Sequence, residues 1–93
     1  MDTTRIRYFV TLAEQLHFGR AADLLYISQS SLSYHISELE AALGVRLFTR
    51  SRRKVFLTSA GAALLPAARQ LLLDAEQLQQ IAAGAKEHAP AME

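Results

Sequence analysis

The stretch Phe18–Leu43 constrains the fold more than any other part of the chain. A short apolar-faced segment ends at Tyr26, and a second begins with Ser28, whose hydroxyl can accept a hydrogen bond from the first turn of a helix. Four apolar residues of the second segment follow at steps of four, three and four: Leu32, Ile36, Leu39 and Leu43. This spacing is one face of an α-helix. Two helices joined by so tight a turn predict a helix-turn-helix, whose second helix can enter a DNA major groove.

The composition bounds the chain to one small domain, with or without an appendage. Its 93 residues are 51% hydrophobic, enough for a core, although a domain of this size gains from an oligomeric contact. The absence of cysteine excludes disulfides and a cysteine-based zinc site. The N-terminus lacks an apolar leader, and the longest uncharged run, Val55–Ala68, is too short to span a membrane. We expect a cytoplasmic protein with no membrane partner, no metal and no cofactor.

The charge is local rather than global. The formal net charge is only +1, but residues 1–58 hold eight basic and five acidic side chains, whereas residues 59–93 hold two and four. Five of the ten basic residues lie between Arg46 and Lys54. Such a cluster is an electrostatic footprint for a polyanion.

The elements around the central stretch follow from periodicity. Helix one is predicted from Thr3 or Thr4 to about Leu16, with Phe18 entering the core, helix two over about Arg20–Leu25, and helix three over Gln29–Leu43. Gly44 suits the position after a helix. Two short apolar segments then flank the polar tip 51–54. They predict a β-hairpin over about 46–57, although the turn lacks an Asn-Gly signal.

A fourth helix is predicted over 59–84, capped by Thr58 or Ser59, with a tail over 85–93. Pro66 lies inside it and is expected to bend it. Its apolar seam alternates by four and three, and Leu72 widens the stripe. The seam residues are Leu64, Ala68, Leu71, Ala75, Leu78 and Ala82. The alternatives are an intramolecular core and a homodimer contact, and we expect one flank of the stripe to serve each.

Six fragments make the chain resemble the DNA-binding domain of LysR-type transcriptional regulators. They keep their order from about residue 4 to residue 73: Ile6–Phe9, Phe18–Leu25, Ile27–Ser33, Ile36–Glu40, Leu43–Arg50 and Leu57–Gly61. The resemblance implies a mainly α fold with a small β-hairpin, a winged helix-turn-helix over 1–58 (helix-turn-helix about 18–37), and a linker helix that pairs two subunits. It also implies a larger effector-binding domain and a higher oligomer in the full-length protein. The 93 residues contain no such domain, so we expect an isolated DNA-binding portion or a truncated product.

The chain departs from the family pattern at three places. Ser30 stands where the family often has Pro, Tyr34 and His35 stand where it commonly has Arg and Gln, and Gly19 stands where it usually has Ser or Thr. The fold is expected to survive these changes. The change at Tyr34 removes an Arg that contacts DNA in the family, so it bears on base preference.

The face of helix three opposite its apolar stripe carries no charge. Its members, with one arginine of the hairpin tip, are the predicted base or groove contacts: Gln29, Ser30, Ser33, Tyr34, Ser37 and Arg53. Gln29 is the best candidate for base readout, because an amide can pair bidentately with adenine. The alternative is that the Ser28–Ser31 segment only caps the helix. His35, at the edge of the face, is expected to meet a neighbouring side chain.

The phosphate contacts are predicted from basic and small polar side chains around that face: Arg5, Arg20, Ser31, Arg50, Arg52 and Lys54. A basic hairpin tip can follow phosphates, and one arginine can enter a narrow minor groove. The alternative for the tip is a solvated charged turn.

The function predicted from these features is sequence-specific binding of double-stranded DNA by a homodimer that reads a pseudo-palindromic operator. The first alternative is a protein-interaction winged helix in which the leucine-rich helix matters most. An enzyme is disfavoured, because no Ser, His and acidic residues stand at spacings that build a catalytic site and no glycine-rich phosphate loop exists.

Overall fold

The computed structural model describes residues 2–51 and 54–88. In chain order the elements are α1 (Thr4–Gln15), α2 (Phe18–Leu25), α3 (Gln29–Leu43), β1 (Phe48–Ser51), β2 (Lys54–Leu57) and α4 (Ser59–His88). The molecule measures 60 × 26 × 20 Å, because α4 extends far beyond the small domain that packs on its first half. The predicted mainly α fold with one β-hairpin is confirmed.

The first two helices begin at caps made by side chains that precede them. Asp2 accepts a hydrogen bond from the Thr4 backbone N–H at 3.0 Å, which lowers the pKa of its carboxyl below the ordinary value. The Nδ1 atom of His17 accepts from the Arg20 N–H at 3.0 Å. This histidine cap starts α2 at Phe18, two residues earlier than predicted, and Phe18 packs against the core as expected.

The third helix matches its predicted bounds. Ser28 is its N-cap and accepts from the Ser31 backbone N–H at 3.0 Å, and Gly44 ends it in the left-handed conformation with φ 74°. The apolar face is buried through Leu39. The prediction that Leu43 is buried is wrong: it is 46% exposed, because it lies one turn past the last position that the other helices cover.

The core fills the space between the first three helices. It is closed by the residues at the start of the hairpin β1–β2, which is called the wing from here on. Phe9 and Leu12 of α1 meet Leu32 of α3, and Leu47 and Phe48 seal one side. The rings of Phe9 and Phe48 meet edge to face with 5.8 Å between their centroids. The wing therefore begins inside the core, which fixes where the hairpin emerges.

The predicted hairpin is confirmed. Strands β1 and β2 are antiparallel, with Phe48 opposite Leu57 and Ser51 opposite Lys54. Arg52 and Arg53, which stand between the strands in the sequence, lie outside the described residues. The hairpin is therefore confirmed from the pairing of its two described strands.

The fourth helix starts at a well-made cap and runs further than predicted. Thr58 accepts from the Gly61 N–H at 2.9 Å and donates from its hydroxyl to the Arg46 carbonyl at 2.6 Å, which ties the helix start to the chain entering the wing. The helix is continuous through Pro66 and extends to His88, the last described residue. The prediction of a tail from residue 85 is therefore wrong over 85–88, and the rest of that tail lies outside the described residues. The bend at Pro66 stays a prediction.

The apolar seam of α4 is divided between two faces. Ala68 is buried in the domain's own core, and Leu64 and Leu72 pack against that core. These three residues contribute to the intramolecular core, and their predicted part in a dimer contact stays a prediction. Leu71 and Leu78 remain 47% and 53% exposed on the neighbouring face. None of the described helices is long and apolar enough to cross a membrane.

Candidate nucleic-acid interface

The starts of α2 and α3 and the wing converge on an open groove of about 450 Å³. It is lined by residues from all three elements, among them Gly19, Gln29, Ser30, Ser33, Arg50 and Lys54. Five of these six were predicted as DNA contacts from the sequence. The structure thus brings three of the five residues of the predicted uncharged face together with two of the predicted basic residues.

The start of α3 presents its first two side chains to solvent. Ser28 does the capping, so Gln29 and Ser30 are not needed for it, although the Ser30 hydroxyl lies 3.2 Å from that of Ser28. A Cβ added at Gly19 would stand 3.3 Å from the Gln29 Nε2. The missing side chain at Gly19 therefore leaves the Gln29 amide room beside α2.

The wing contacts α3 through Arg50. Its Nη2 donates to the Ser33 hydroxyl oxygen at 2.9 Å, and its guanidinium carbon lies 4.3 Å from the centroid of the Phe18 ring. A guanidinium has five N–H donors. This contact leaves others for a phosphate, so the predicted phosphate role of Arg50 stays a prediction.

The lower part of the predicted face lies outside the groove. Tyr34 is 57% exposed, and its ring meets the edge of His35 with 5.2 Å between centroids. Ser37 is exposed and lines a separate shallow hollow with Glu40 and Arg46. Both remain accessible on α3, but neither lies next to the wing.

The predicted phosphate residues occupy different environments. The Arg5 Nε donates to the His35 Nδ1 at 3.1 Å, which confirms that His35 meets a neighbouring side chain and ties α1 to α3. Ser31 is partly buried, and its backbone N–H is used by the cap. Arg20 and Lys54 are exposed, whereas the candidates Arg52 and Arg53 lie outside the described residues.

Glu40 is a structural residue of this site that sequence reasoning missed. Its Oε2 accepts from the backbone N–H groups of Leu47 at 2.7 Å and Phe48 at 3.2 Å, the residue before β1 and the first residue of β1. The carboxylate thereby fastens the wing to α3. The sequence feature that could have identified Glu40 is its position four residues after Ile36, which places it at the edge of the buried helix face.

Comparison with known proteins identifies the family. The family model described as a bacterial regulatory helix-turn-helix protein of the lysR family matches residues 3–62. The HTH-type transcriptional regulator XapR of Escherichia coli K12 is 48% identical over 87 residues, which cover 89% of this chain. They cover only 30% of XapR, so the chain spans about a third of the length of that relative.

Two similar solved structures are complexes of a DNA-binding domain (DBD) with DNA. The CbnR DBD–DNA complex matches with a TM-score of 0.86 and 36% identity over 92% of this chain and 99% of that one. The complex of the BenM DBD with catB site 1 DNA matches with a TM-score of 0.85 and 35% identity, over 92% of this chain and 96% of that one. These likenesses confirm the winged helix-turn-helix with a long fourth helix, and the curated relatives are regulators rather than enzymes, as predicted. The chain belongs to the lysR family of bacterial regulatory helix-turn-helix proteins.

Proposed function

We propose that the chain binds double-stranded DNA sequence-specifically, with α3 in the major groove and the wing on the neighbouring backbone or minor groove. The observation that carries this is the groove that Gln29, Ser30 and Ser33 line beside Arg50 and Lys54, with Gln29 and Ser30 exposed. An uncharged polar helix end suits close approach to base edges, and flanking cations suit phosphates. The DNA in the solved structures of similar domains supports the proposal.

Gln29→Ala is expected to abolish discrimination at one base pair of each half-site, at a cost of about 1–3 kcal/mol per bidentate contact. The measurement is selection of bound duplexes from a random library, followed by titration of the selected duplex and of variants changed at each pair. The matched control is Gln80→Ala, which removes an exposed amide of α4 that does not line the groove. An equal loss on selected and random DNA would show that Gln29 reads no sequence.

Lys54→Ala is expected to weaken binding to all duplexes alike and to flatten its salt dependence. Each phosphate contact contributes about 0.9 to the slope of log K against log salt, so a dimer should lose roughly 1.8. Lys86→Ala, near the far end of α4, is the control. An unchanged slope would place Lys54 away from the phosphates.

If the unaltered chain bound a mixed genomic duplex pool without any salt dependence, the protein-interaction alternative would be favoured.

We further propose that two copies pair through the exposed face of α4. This face is the part of the predicted seam that the domain leaves uncovered, chiefly Leu71 and Leu78. Leu78→Glu is expected to give monomers in sedimentation or light scattering, because a carboxylate in an apolar contact is strongly unfavourable. Leu73→Glu is the control, since Leu73 is 58% exposed but about 200° around the helix from Leu71. If the dimer persisted in Leu78→Glu and was lost in Leu73→Glu, the interface would lie on the face of α4 that carries Leu73.

The remaining features of the proposal concern the longer protein. We propose a cytoplasmic regulator in which residues 1–58 form the DNA-binding unit and α4 the linker to an effector-binding domain, with a higher oligomer in the full-length protein. The match to only 30% of XapR supports this proposal, because a protein of that length has room for such a domain.

A further inference from the structure

The hydrogen bond between the wing and α3 restricts what the Ser33 hydroxyl can do. A serine hydroxyl has one O–H donor and acceptor lone pairs, so a free serine can meet base atoms of either kind. Here the Ser33 oxygen accepts from the Arg50 Nη2 at 2.9 Å. This bond occupies one of the two lone pairs and places a cation beside the other, which disfavours a second N–H donor there. The O–H is therefore the group better suited to meet a base, and Ser33 lines the groove proposed to face DNA.

The arginine that makes this bond is itself held in place. Its guanidinium carbon stands 4.3 Å from the Phe18 ring centroid, a distance within the range of a cation–π contact. Phe18 in turn packs against the core at the start of α2. The Arg50 side chain is thus held by α2 in the position from which it bonds to α3, and its remaining N–H donors stay available to a phosphate.

We propose that Arg50 is a positioning residue that makes Ser33 a hydrogen-bond donor toward the bases, so that Ser33 selects a base-edge acceptor and discriminates against cytosine. In the major groove the acceptors are purine N7, guanine O6 and thymine O4, whereas cytosine presents only its N4 donor. The inference rests on the proposed DNA binding and assigns the chemical preference of one of its contacts.

The test begins with selection of duplexes from a random library by the unaltered chain and by Ser33→Ala. One pair in each half-site should lose its preference in Ser33→Ala. At that pair the unaltered chain should disfavour cytosine on the contacted strand by about two- to tenfold, the range of one neutral hydrogen bond. In Arg50→Met this discrimination should fall below about twofold, because the freed lone pairs can then accept from the cytosine amino group, while preferences at the other pairs persist.

Two further variants separate positioning from simple charge. Arg50→Lys keeps the positive charge but lacks the planar fork, so it should relax the Ser33 pair as Arg50→Met does while keeping the salt slope. Lys54→Met removes a neighbouring groove cation and should lower binding without changing the preference at the Ser33 pair. Restoration of that preference by Arg50→Lys would overturn the positioning role.

A base-analogue experiment on the unaltered fold keeps the inference testable if circular dichroism shows Arg50→Met to be unfolded. The acceptor at the Ser33 pair is removed by 7-deazapurine, by 2-aminopurine in place of guanine, or by 5-methyl-2-pyrimidinone in place of thymine. One of these should weaken the unaltered chain by about two- to tenfold and leave Ser33→Ala unchanged. Cytosine as the preferred base, or equal losses for both proteins with every analogue, would overturn the inference. A selection that enriches no motif would overturn the proposed function as well.

Discussion

Glu40→Ala is expected to lower the free energy of unfolding by about 1.5–3 kcal/mol, the range for hydrogen bonds to a charged group. The variant leaves the Leu47 and Phe48 N–H groups, which the carboxylate now receives at 2.7 and 3.2 Å, without their acceptor. The Glu40 side chain is only 12% exposed, so water does not readily replace it. Chemical denaturation measures the loss.

The ion pair of Glu40 contributes little to this expectation. Its partner Arg46 is 71% exposed, and the Nε to Oε2 distance is 3.5 Å, so solvent screens the attraction to well below about 1 kcal/mol. Arg46→Ala should therefore cost much less than Glu40→Ala. Glu38→Ala, an exposed carboxylate two residues earlier on α3, is the control and should stay within about 0.5 kcal/mol.

Glu40→Ala should also weaken DNA binding more than its loss of stability explains, because the wing loses its attachment to α3. Affinity is compared under conditions where both proteins are folded. If Glu40→Ala unfolded at the same denaturant concentration as the unaltered chain, the carboxylate would be a surface group and the attachment would lie elsewhere.

Gly61→Ala is expected to lower the free energy of unfolding by about 2 kcal/mol, although alanine favours a helix over glycine by about 1 kcal/mol. The added Cβ would stand far inside contact distance of the Leu47 carbonyl oxygen and 2.8 Å from the Leu57 Cδ1. The carbonyl cannot move away freely, because it accepts from the Thr58 N–H at 2.9 Å. Overpacking of about 3 kcal/mol therefore outweighs the helix gain.

Gly84→Ala is the matched control for Gly61→Ala. It lies in the same helix, and a Cβ at Gly84 would meet nothing within 4 Å. Only the propensity term remains there, so stability should stay equal or rise by up to about 1 kcal/mol. Parallel changes at both glycines would mean that α4 does not approach the wing as closely as the structure shows.

Much of the fold was predictable because it depends on contacts between residues close in the chain. The Ser28 cap joins residues three apart, and the Leu32 to Leu39 stripe repeats within a single helix. Gly44 ends that helix through its own backbone conformation. Such interactions are written in spacing and residue type, so the helix-turn-helix and the hairpin could be predicted from the residues alone.

The divided face of α4 was beyond sequence reasoning. A heptad pattern reports that Leu64, Leu71 and Leu78 share a stripe, and not which part of that stripe the domain covers. Burial of Ala68 and exposure of Leu71 depend on which side of α4 packs against α1 and β2. Leu43 is exposed despite its correct spacing for a similar reason, because spacing does not report how far along α3 the other elements cover it.

By itself the sequence determined the helices, the Ser28 cap, the hairpin and the uncharged face of α3, since each depends on local hydrogen bonds and periodic burial. Only the tertiary structure decided how the wing is held against that face. The Glu40 carboxylate meets N–H groups seven and eight residues away, and Arg50 reaches Ser33 across 17 residues and Phe18 across a different helix. Spacing along a chain carries no information about such distant pairs, because their geometry exists only after the core has brought the elements together.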